Sequence, residues 1–273
     1  MPALSLAISP CPNDTFVFHA WAHGLIPDAP AVVTSYDDID VLNQRAARGE
    51  PDVVKVSYGA LPWLLDDYRL LSAGSALGRG CGPLVLSRDG SLGSAPTVAV
   101  PGERTTAYLL FRLWAAQHDL RPKIRVLPFD QIMPAVQAGT VDAGLVIHES
   151  RFTFPAYGLT QVADLGDWWE GDTGLAIPLG AILARRTLDT AAVDQAIRQS
   201  VEQAWADPAR SAPYIREHAQ EMDPAVCKQH IDLYVNEFTR DLGADGLRAV
   251  EGLLGRSADA GLTPAVDVAQ LSG

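Results

Sequence analysis

The sequence is poor in cysteine and lacks any long apolar run. Its three cysteines are an odd number without a CxxC pair, which argues against a disulfide framework and against a zinc site. No run of about 18 apolar residues occurs, and the apolar start at residues 4–8 is too short for a signal peptide. We therefore expect a cytoplasmic protein with reduced thiols, no bound metal and no membrane insertion.

Basic residues are also scarce. The 21 Lys and Arg residues are outnumbered by 33 Asp and Glu residues, which gives a formal net charge of −12, and the basic residues form no cluster. This balance makes nucleic acid an unexpected partner. It also repels anionic metabolites at long range, so a site for an anion would depend on local hydrogen-bond donors.

Common catalytic and nucleotide-binding motifs are missing. The sequence contains no GxGxxG that opens a helix, no GxxxxGK[ST], no HExxH and no GxSxG. Cys11 stands at a predicted helix start, where thiol pKa values fall, but prolines flank it and no histidine lies near it in the sequence. A cysteine nucleophile is therefore disfavoured.

The sequence does show alternating strand and helix patterns, typical of βαβ crossovers and a largely parallel sheet. A run of turn formers at residues 89–96 separates two such series, and the chain from residue 189 onward is helical in pattern. Strands are predicted over residues 4–9, 31–36, 53–58, 70–73, 83–87, 97–100, 124–127, 143–148 and 179–184, and helices over 14–23, 39–48, 105–117 and 131–138.

These patterns predict an α/β protein of two lobes with a cleft between them. The 273 residues suffice for two lobes, since domains cluster at about 100–150 residues. We expect residues 1–90 with 185–273 to form lobe I, residues 95–180 to form an inserted lobe II, and hinges near 87–96 and 178–185. Ligands of open α/β sheets bind at the carboxyl ends of strands, which both lobes would turn toward the cleft.

Two predicted helix starts follow strand ends and could bind an anion through free N–H groups. The first is SPCPNDTF, where Asn13, Asp14 and Thr15 are expected to cap the helix, and the second is PGERTTAYLL, where Thr105 and Thr106 open a helix. The first segment is equally consistent with an ordinary, well-made helix start.

Three further side chains lie at strand ends. Lys55 and Ser57 share one face of a strand, and Lys55 either reaches the surface or faces a polar cleft. His148 ends an apolar strand and is the candidate base, although a structural histidine is the simpler interpretation from the strand alone. The other five histidines, His230 among them, lie in helices or at their ends and are interpreted as ordinary surface or core residues.

Six segments, taken together and in order, resemble the 1,4-dihydroxy-6-naphthoate synthase family of menaquinone biosynthesis by the futalosine pathway. They cover roughly residues 4–185 and read SPCPNDTF, KVSYGALP, GCGPLV, PGERTTAYLL, DAGLVIHESRFTF and LGDWWEGDTGLAIPLGAI.

The resemblance implies a periplasmic-binding-protein type II fold and a lyase that works without a cofactor. Its reaction would convert cyclic dehypoxanthine futalosine to 1,4-dihydroxy-6-naphthoate with release of dihydroxyacetone. The catalytic base of the family falls on His148. Its substrate-binding positions fall on Ser57, Thr106 and Ala107, with Asn13, Asp14, Lys55 and Thr105 as neighbours.

Other functions stay open at this point. A non-catalytic binding protein for a small carboxylate would share the fold, and fold alone does not decide function. Chorismate dehydratase of the same pathway is the nearest enzymatic alternative. The aromatic pair Trp168 and Trp169 either lines the cleft against a flat ring or packs inside its lobe.

Overall fold

The computed structural model describes residues 2–219 and 223–271, which form an α/β protein with two mixed sheets. The strands are β1 Leu4–Ile8, β2 Val32–Tyr36, β3 Val53–Ser57, β4 Tyr68–Leu70, β5 Ala76–Gly78, β6 Leu84–Ser87, β7 Thr97–Val100, β8 Lys123–Val126, β9 Ala143–Val146, β10 Thr160–Asp164 and β11 Ile177–Arg185. The helices are α1 Pro12–Ala22, α2 Ile39–Ala47, α3 Thr106–Gln117, α4 Phe129–Gln137, α5 Ser150–Thr153, α6 Leu165–Thr173, α7 Thr190–Ala206, α8 Pro208–His218, α9 Pro224–Tyr234, α10 Glu237–Arg240 and α11 Gly243–Asp259. Short 3-10 helices cover Tyr58–Trp63, Phe154–Tyr157 and Val268–Gln270.

Each sheet combines a parallel βαβ part with antiparallel returns. The first sheet has the order β2-β1-β3-β11-β4, with β5 also paired to β11, and the second has the order β10-β6-β9-β7-β8. Strands β1, β2 and β3 run parallel, as do β7, β8 and β9. The return strands β11 and β6 are antiparallel to their neighbours, so the expectation of a largely parallel sheet holds only for the βαβ parts.

Strand pairing moves the expected lobe boundaries. Residues 84–87 pair with β9 and β10 of the second sheet, and residues 177–185 pair with the first sheet. The chain therefore changes sheets between β5 and β6 and again between β10 and β11, earlier than the expected hinges near 87–96 and 178–185. The turn formers at 89–96 connect two strands of one sheet, which their composition alone does not reveal.

The two connecting segments touch each other. A Cβ atom on Gly82 would lie 2.1 Å from the backbone nitrogen of Gly166, so the backbones approach to a distance that leaves no room for a side chain. The two chain crossings are therefore in direct backbone contact.

The helical tail packs on the first sheet and on α1. Phe18 and Trp21 of α1 share one core cluster with Ile197 of α7 and Ile215 of α8. Burial of each large side chain contributes about 1.5–3 kcal/mol, which fixes the tail against α1. Helix α9 also contacts α1, and this contact brings His230 to the start of α1. Within the described residues, no helix has both the length and the apolar composition needed to cross a bilayer.

Candidate functional site

All of the residues predicted for the site line a single cavity. The predicted residues at this cavity are Asn13, Asp14, Lys55, Ser57, Thr105, Thr106, Ala107 and His148. Their placement brings both helix starts and the candidate base together, and the roles assigned to them stay predictions.

Helix α1 starts differently from the prediction. It begins at Pro12 with Cys11 as N-cap, so Asn13 and Asp14 lie inside its first turn and are not its caps. The Asp14 carboxylate accepts hydrogen bonds from the backbone N–H and the hydroxyl of Ser9, at 3.2 and 2.7 Å. Proline is favoured at the first helical position because its missing N–H has no partner there in any case. The observed start follows that rule.

Lys55 faces the cavity and forms a buried ion pair. Its Nζ lies 2.7 Å from Asp14 Oδ1, and the two side chains are 5% and 2% exposed. Strand β11 makes room for this lysine, because a Cβ on Gly180 would lie 2.6 Å from Lys55 Cε. The pair neutralises both charges, so Lys55 is not an unpaired cation in the cavity.

Ser57 is held by Asn43, a residue of α2 that the sequence reasoning missed. Asn43 Oδ1 accepts a hydrogen bond from the Ser57 backbone N–H at 2.8 Å, and Asn43 Nδ2 donates to Ser57 Oγ at 3.1 Å. A hydroxyl that already accepts in this way still has its own proton to donate. Ser57 can therefore donate to a ligand oxygen.

The start of α3 presents two main-chain donors. Thr105 is the N-cap, and its hydroxyl accepts from the Tyr108 N–H at 3.2 Å. The Thr106 hydroxyl donates to the Leu179 carbonyl at 2.8 Å and accepts from the Gly59 N–H at 3.0 Å. Both hydroxyls are thus engaged within the protein, whereas first-turn N–H groups such as those of Thr106 and Ala107 have no acceptor in the helix. The donors that remain for an anion here are the amides, as expected for a helix start.

His148 lies beyond the strand that was expected to end with it. Strand β9 ends at Val146, and His148 has a left-handed backbone with φ of 55°. Such a conformation costs about 1–3 kcal/mol in a residue other than glycine and is frequent at functional sites. The ring is partly buried, with Phe129 edge-on at 5.5 Å between centroids and the sulfur of Cys11 at 3.6 Å from Nδ1.

Burial lowers the pKa of His148 below its ordinary value of 6.5, and the Lys55 charge adds to this effect. The carboxylates of Glu149 and Asp14 oppose it. The net direction favours the neutral imidazole at pH 7, which is the form that can accept a proton.

In the folded protein, His148 therefore lies next to Cys11, although the two residues are far apart in the sequence. Burial, followed by the Glu149 charge, raises the pKa of the Cys11 thiol well above its ordinary value. A neutral thiol is a poor nucleophile, so the cysteine remains disfavoured in that role for a physical reason other than the one drawn from the sequence.

His230 of α9 is the second functional candidate that the sequence reasoning missed, since it was interpreted as an ordinary helical residue. It lines the same cavity, is 1% exposed, and its Nε2 lies 2.9 Å from Asn13 Oδ1. The signal in the sequence is weak: His230 and Tyr234 are four residues apart and share the buried face of α9.

The two tryptophans do not belong to the described lining of the cavity. Trp169 is fully buried in the core and donates to the Ala176 carbonyl, while Trp168 donates to Gln117 at 2.6 Å. The guanidinium of Arg256 lies over both rings.

Comparison with known proteins agrees with this site and fold. The profile of a family described as menaquinone biosynthesis matches residues 4–259. A Streptomyces coelicolor protein named 1,4-dihydroxy-6-naphtoate synthase is 60% identical over 271 residues, covering 96% of this chain and 95% of the relative. A Thermus thermophilus protein of the same name is 47% identical over 267 residues and is covered to 96%, as is this chain.

Solved structures show the same fold. A crystal structure of an Archaeoglobus fulgidus protein has a TM-score of 0.89 and 34% identity, with 95% of this chain and 98% of that chain covered. The alkanesulfonate-binding protein of Xanthomonas axonopodis has a TM-score of 0.74 at 16% identity, with 99% and 97% covered, and supports the fold alone. The chain belongs to the menaquinone-biosynthesis family and is an enzyme with a two-lobed, periplasmic-binding-protein-like α/β fold.

Proposed function

We propose that the enzyme converts cyclic dehypoxanthine futalosine to 1,4-dihydroxy-6-naphthoate and releases dihydroxyacetone, with His148 as general base. The relatives named for this product support the proposal. The observation that carries it is that the α3 N–H groups and the neutral imidazole of His148 line the same cavity. An anionic substrate with an acidic proton requires both features.

The substrate carboxylate binds at the start of α3. The N–H groups of Thr106 and Ala107 and the hydroxyl of Ser57 donate to it, and the helix end adds about 0.3–1 kcal/mol of electrostatic attraction. The start of α1 is a poorer site for an anion, because the Asp14 carboxylate already lies there. Local donors of this kind let a protein with a net charge of −12 bind an acid.

His148 then removes a proton from the substrate. When Nδ1–H donates to the Cys11 sulfur, Nε2 keeps its lone pair and can accept that proton. Loss of the sugar-derived fragment is favoured because it completes an aromatic ring. Closure of the lobes around the substrate would exclude water and hold the reacting atoms in place, which supplies part of the rate.

The test is mass spectrometry of the products formed by the purified protein from cyclic dehypoxanthine futalosine. The wild-type protein should form 1,4-dihydroxy-6-naphthoate, and His148→Asn should lower the rate by about 10²–10⁴-fold, the usual contribution of a general base. The matched control is His23→Asn, because His23 is exposed and lies outside the described lining of the cavity.

Two results would contradict the proposal. Near-normal turnover by His148→Asn would remove the histidine from the mechanism. Conversion of chorismate in a parallel incubation, with the futalosine substrate left unchanged, would assign the protein to the other reaction of the pathway.

A further inference from the structure

One ring nitrogen of His230 has a hydrogen-bond partner, and the other has none among the described residues. Asn13 Nδ2 donates to Asp14 Oδ1 at 3.0 Å, and this contact with a carboxylate fixes the orientation of the Asn13 amide. Asn13 Oδ1 therefore faces His230 Nε2 at 2.9 Å, and this nitrogen must carry the proton and donate. Since Lys55 pairs with the same Asp14 oxygen, a continuous network holds the His230 tautomer in place.

The other nitrogen, Nδ1, is a buried acceptor that lacks a partner among residues 2–219 and 223–271. Burial lowers the pKa of His230 well below its ordinary value, so the ring is neutral. The positive charge of His148, when that ring is protonated, and the charge of Lys55 act in the same direction. Buried polar atoms of native proteins are nearly always hydrogen-bonded, and each exception requires an explanation. An unpartnered buried nitrogen is therefore uncommon for a histidine with a purely structural role.

The position of His230 suggests what its partner is. The residue lines the cavity, and its ring stacks on that of His148 with 6.1 Å between centroids and 21° between planes. Two imidazoles therefore share one wall of the site. His230 therefore lies beside the candidate base in the lining of the cavity. The group that a bare imidazole nitrogen recognises is an O–H or N–H donor.

We propose that His230 Nδ1 accepts a hydrogen bond from a hydroxyl group of the substrate and of the dihydroxynaphthoate product. This inference rests on the proposed function and adds a specificity residue to it. His230 selects ligands that carry a hydroxyl at this position, while the α3 start and Ser57 select the carboxylate. Sites built to bind a hydroxyl reject analogues that lack it, because the buried acceptor is then left unpaired.

The test uses two variants that separate the two nitrogens. The amide of glutamine takes roughly the place of Nε2, so His230→Gln keeps the donor to Asn13 and removes the acceptor at Nδ1. The amide of asparagine takes roughly the place of Nδ1, so His230→Asn keeps an acceptor there. Binding is measured by calorimetric titration with 1,4-dihydroxy-6-naphthoate and with naphthalene-2-carboxylate, which has the same rings and carboxylate but no hydroxyl.

His230→Gln should bind the dihydroxy compound about tenfold more weakly than the wild type, the effect of one lost hydrogen bond. It should bind naphthalene-2-carboxylate with unchanged affinity and should unfold at the same temperature as the wild type. His230→Asn should recover most of the affinity for the dihydroxy compound. The kcat/KM for the cyclic substrate should follow the same order.

Equal losses for both ligands in His230→Gln, or no loss for either, would overturn the inference. If wild-type protein turns over the cyclic substrate and the variants match it, only the role of His230 is refuted. If wild-type protein neither binds 1,4-dihydroxy-6-naphthoate nor turns over the cyclic substrate, the proposed function and this inference fail together.

Discussion

The Asp14 carboxylate should be the most sensitive charged group of the site. Four donors converge on it: the backbone N–H and hydroxyl of Ser9, the Asn13 amide and the Lys55 ammonium. Asp14→Asn keeps the shape of the side chain but removes its charge and turns an N–H₂ group toward some of these donors. The Lys55 ammonium then stays buried without its counter-charge, and we expect the free energy of unfolding to fall by about 3–5 kcal/mol.

Lys55→Met should lower the free energy of unfolding by a smaller amount than Asp14→Asn. The Asp14 carboxylate would keep three donors after this change, so the loss corresponds to one charge-assisted hydrogen bond, about 1.5–3 kcal/mol. The double variant Asp14→Asn with Lys55→Met buries no unpaired charge. The loss of unfolding free energy in the double variant should be smaller than the sum of the losses in the two single variants by about 1–3 kcal/mol.

Urea unfolding of the four proteins at pH 7, followed by tryptophan fluorescence, measures these differences. The matched control is Asp232→Asn, which breaks the Lys228–Asp232 pair, also between a lysine and an aspartate but with side chains 74% and 59% exposed. It should change stability by less than about 1 kcal/mol. If Asp14→Asn costs no more than this control, or if the two single variants are additive, then the buried pair does not act as argued.

Three further predictions follow from other contacts. Thr106→Val should lower the free energy of unfolding in urea by about 2 kcal/mol, because it leaves the Gly59 N–H and the Leu179 carbonyl unpaired. Thr106→Ser keeps the hydroxyl and should lose little. Equal stability of the two variants would contradict a role of these two hydrogen bonds. On the acid side, the pH profile of kcat/KM should have its midpoint below pH 6.5. Burial lowers the pKa of His148, and activity is lost only as the pH falls through this lowered pKa. A midpoint above pH 6.5 would contradict the role of His148 as the base. Cys11→Ser should keep activity within about tenfold of the wild type in the product assay, since a thiol of raised pKa is not the nucleophile; loss of more than about 10³-fold would make the cysteine part of the chemistry.

Elements with a clear local pattern were predicted well. The strand at residues 97–100 coincides with β7, and the helix expected at residues 105–117 differs from α3 by one residue. Apolar periodicity, proline and turn formers act over a few residues, so a sequence reports them directly. Elements without such signals were missed, among them β5, β10 and α6.

The candidate site was predicted in part for the same reason. Ser57 and His148 stand at or just beyond strand ends, and Lys55 shares the strand and the face of Ser57. The geometry of α/β sheets brings such positions to one cleft. The backbone of His148 was not predictable, because a left-handed conformation is selected by the surrounding packing and not by the residue itself.

By itself, the sequence determined the α/β class, the two series of strands and helices, and the strand ends that contribute to the candidate site. Tertiary structure alone decided which sheet residues 84–87 join and which side chains meet across the cavity. His230 and Asn13 are 217 residues apart, and Asn43 reaches Ser57 from another element. Such contacts depend on how whole helices pack, a sum of many weak apolar contacts over the chain, and no short stretch of sequence contains that sum.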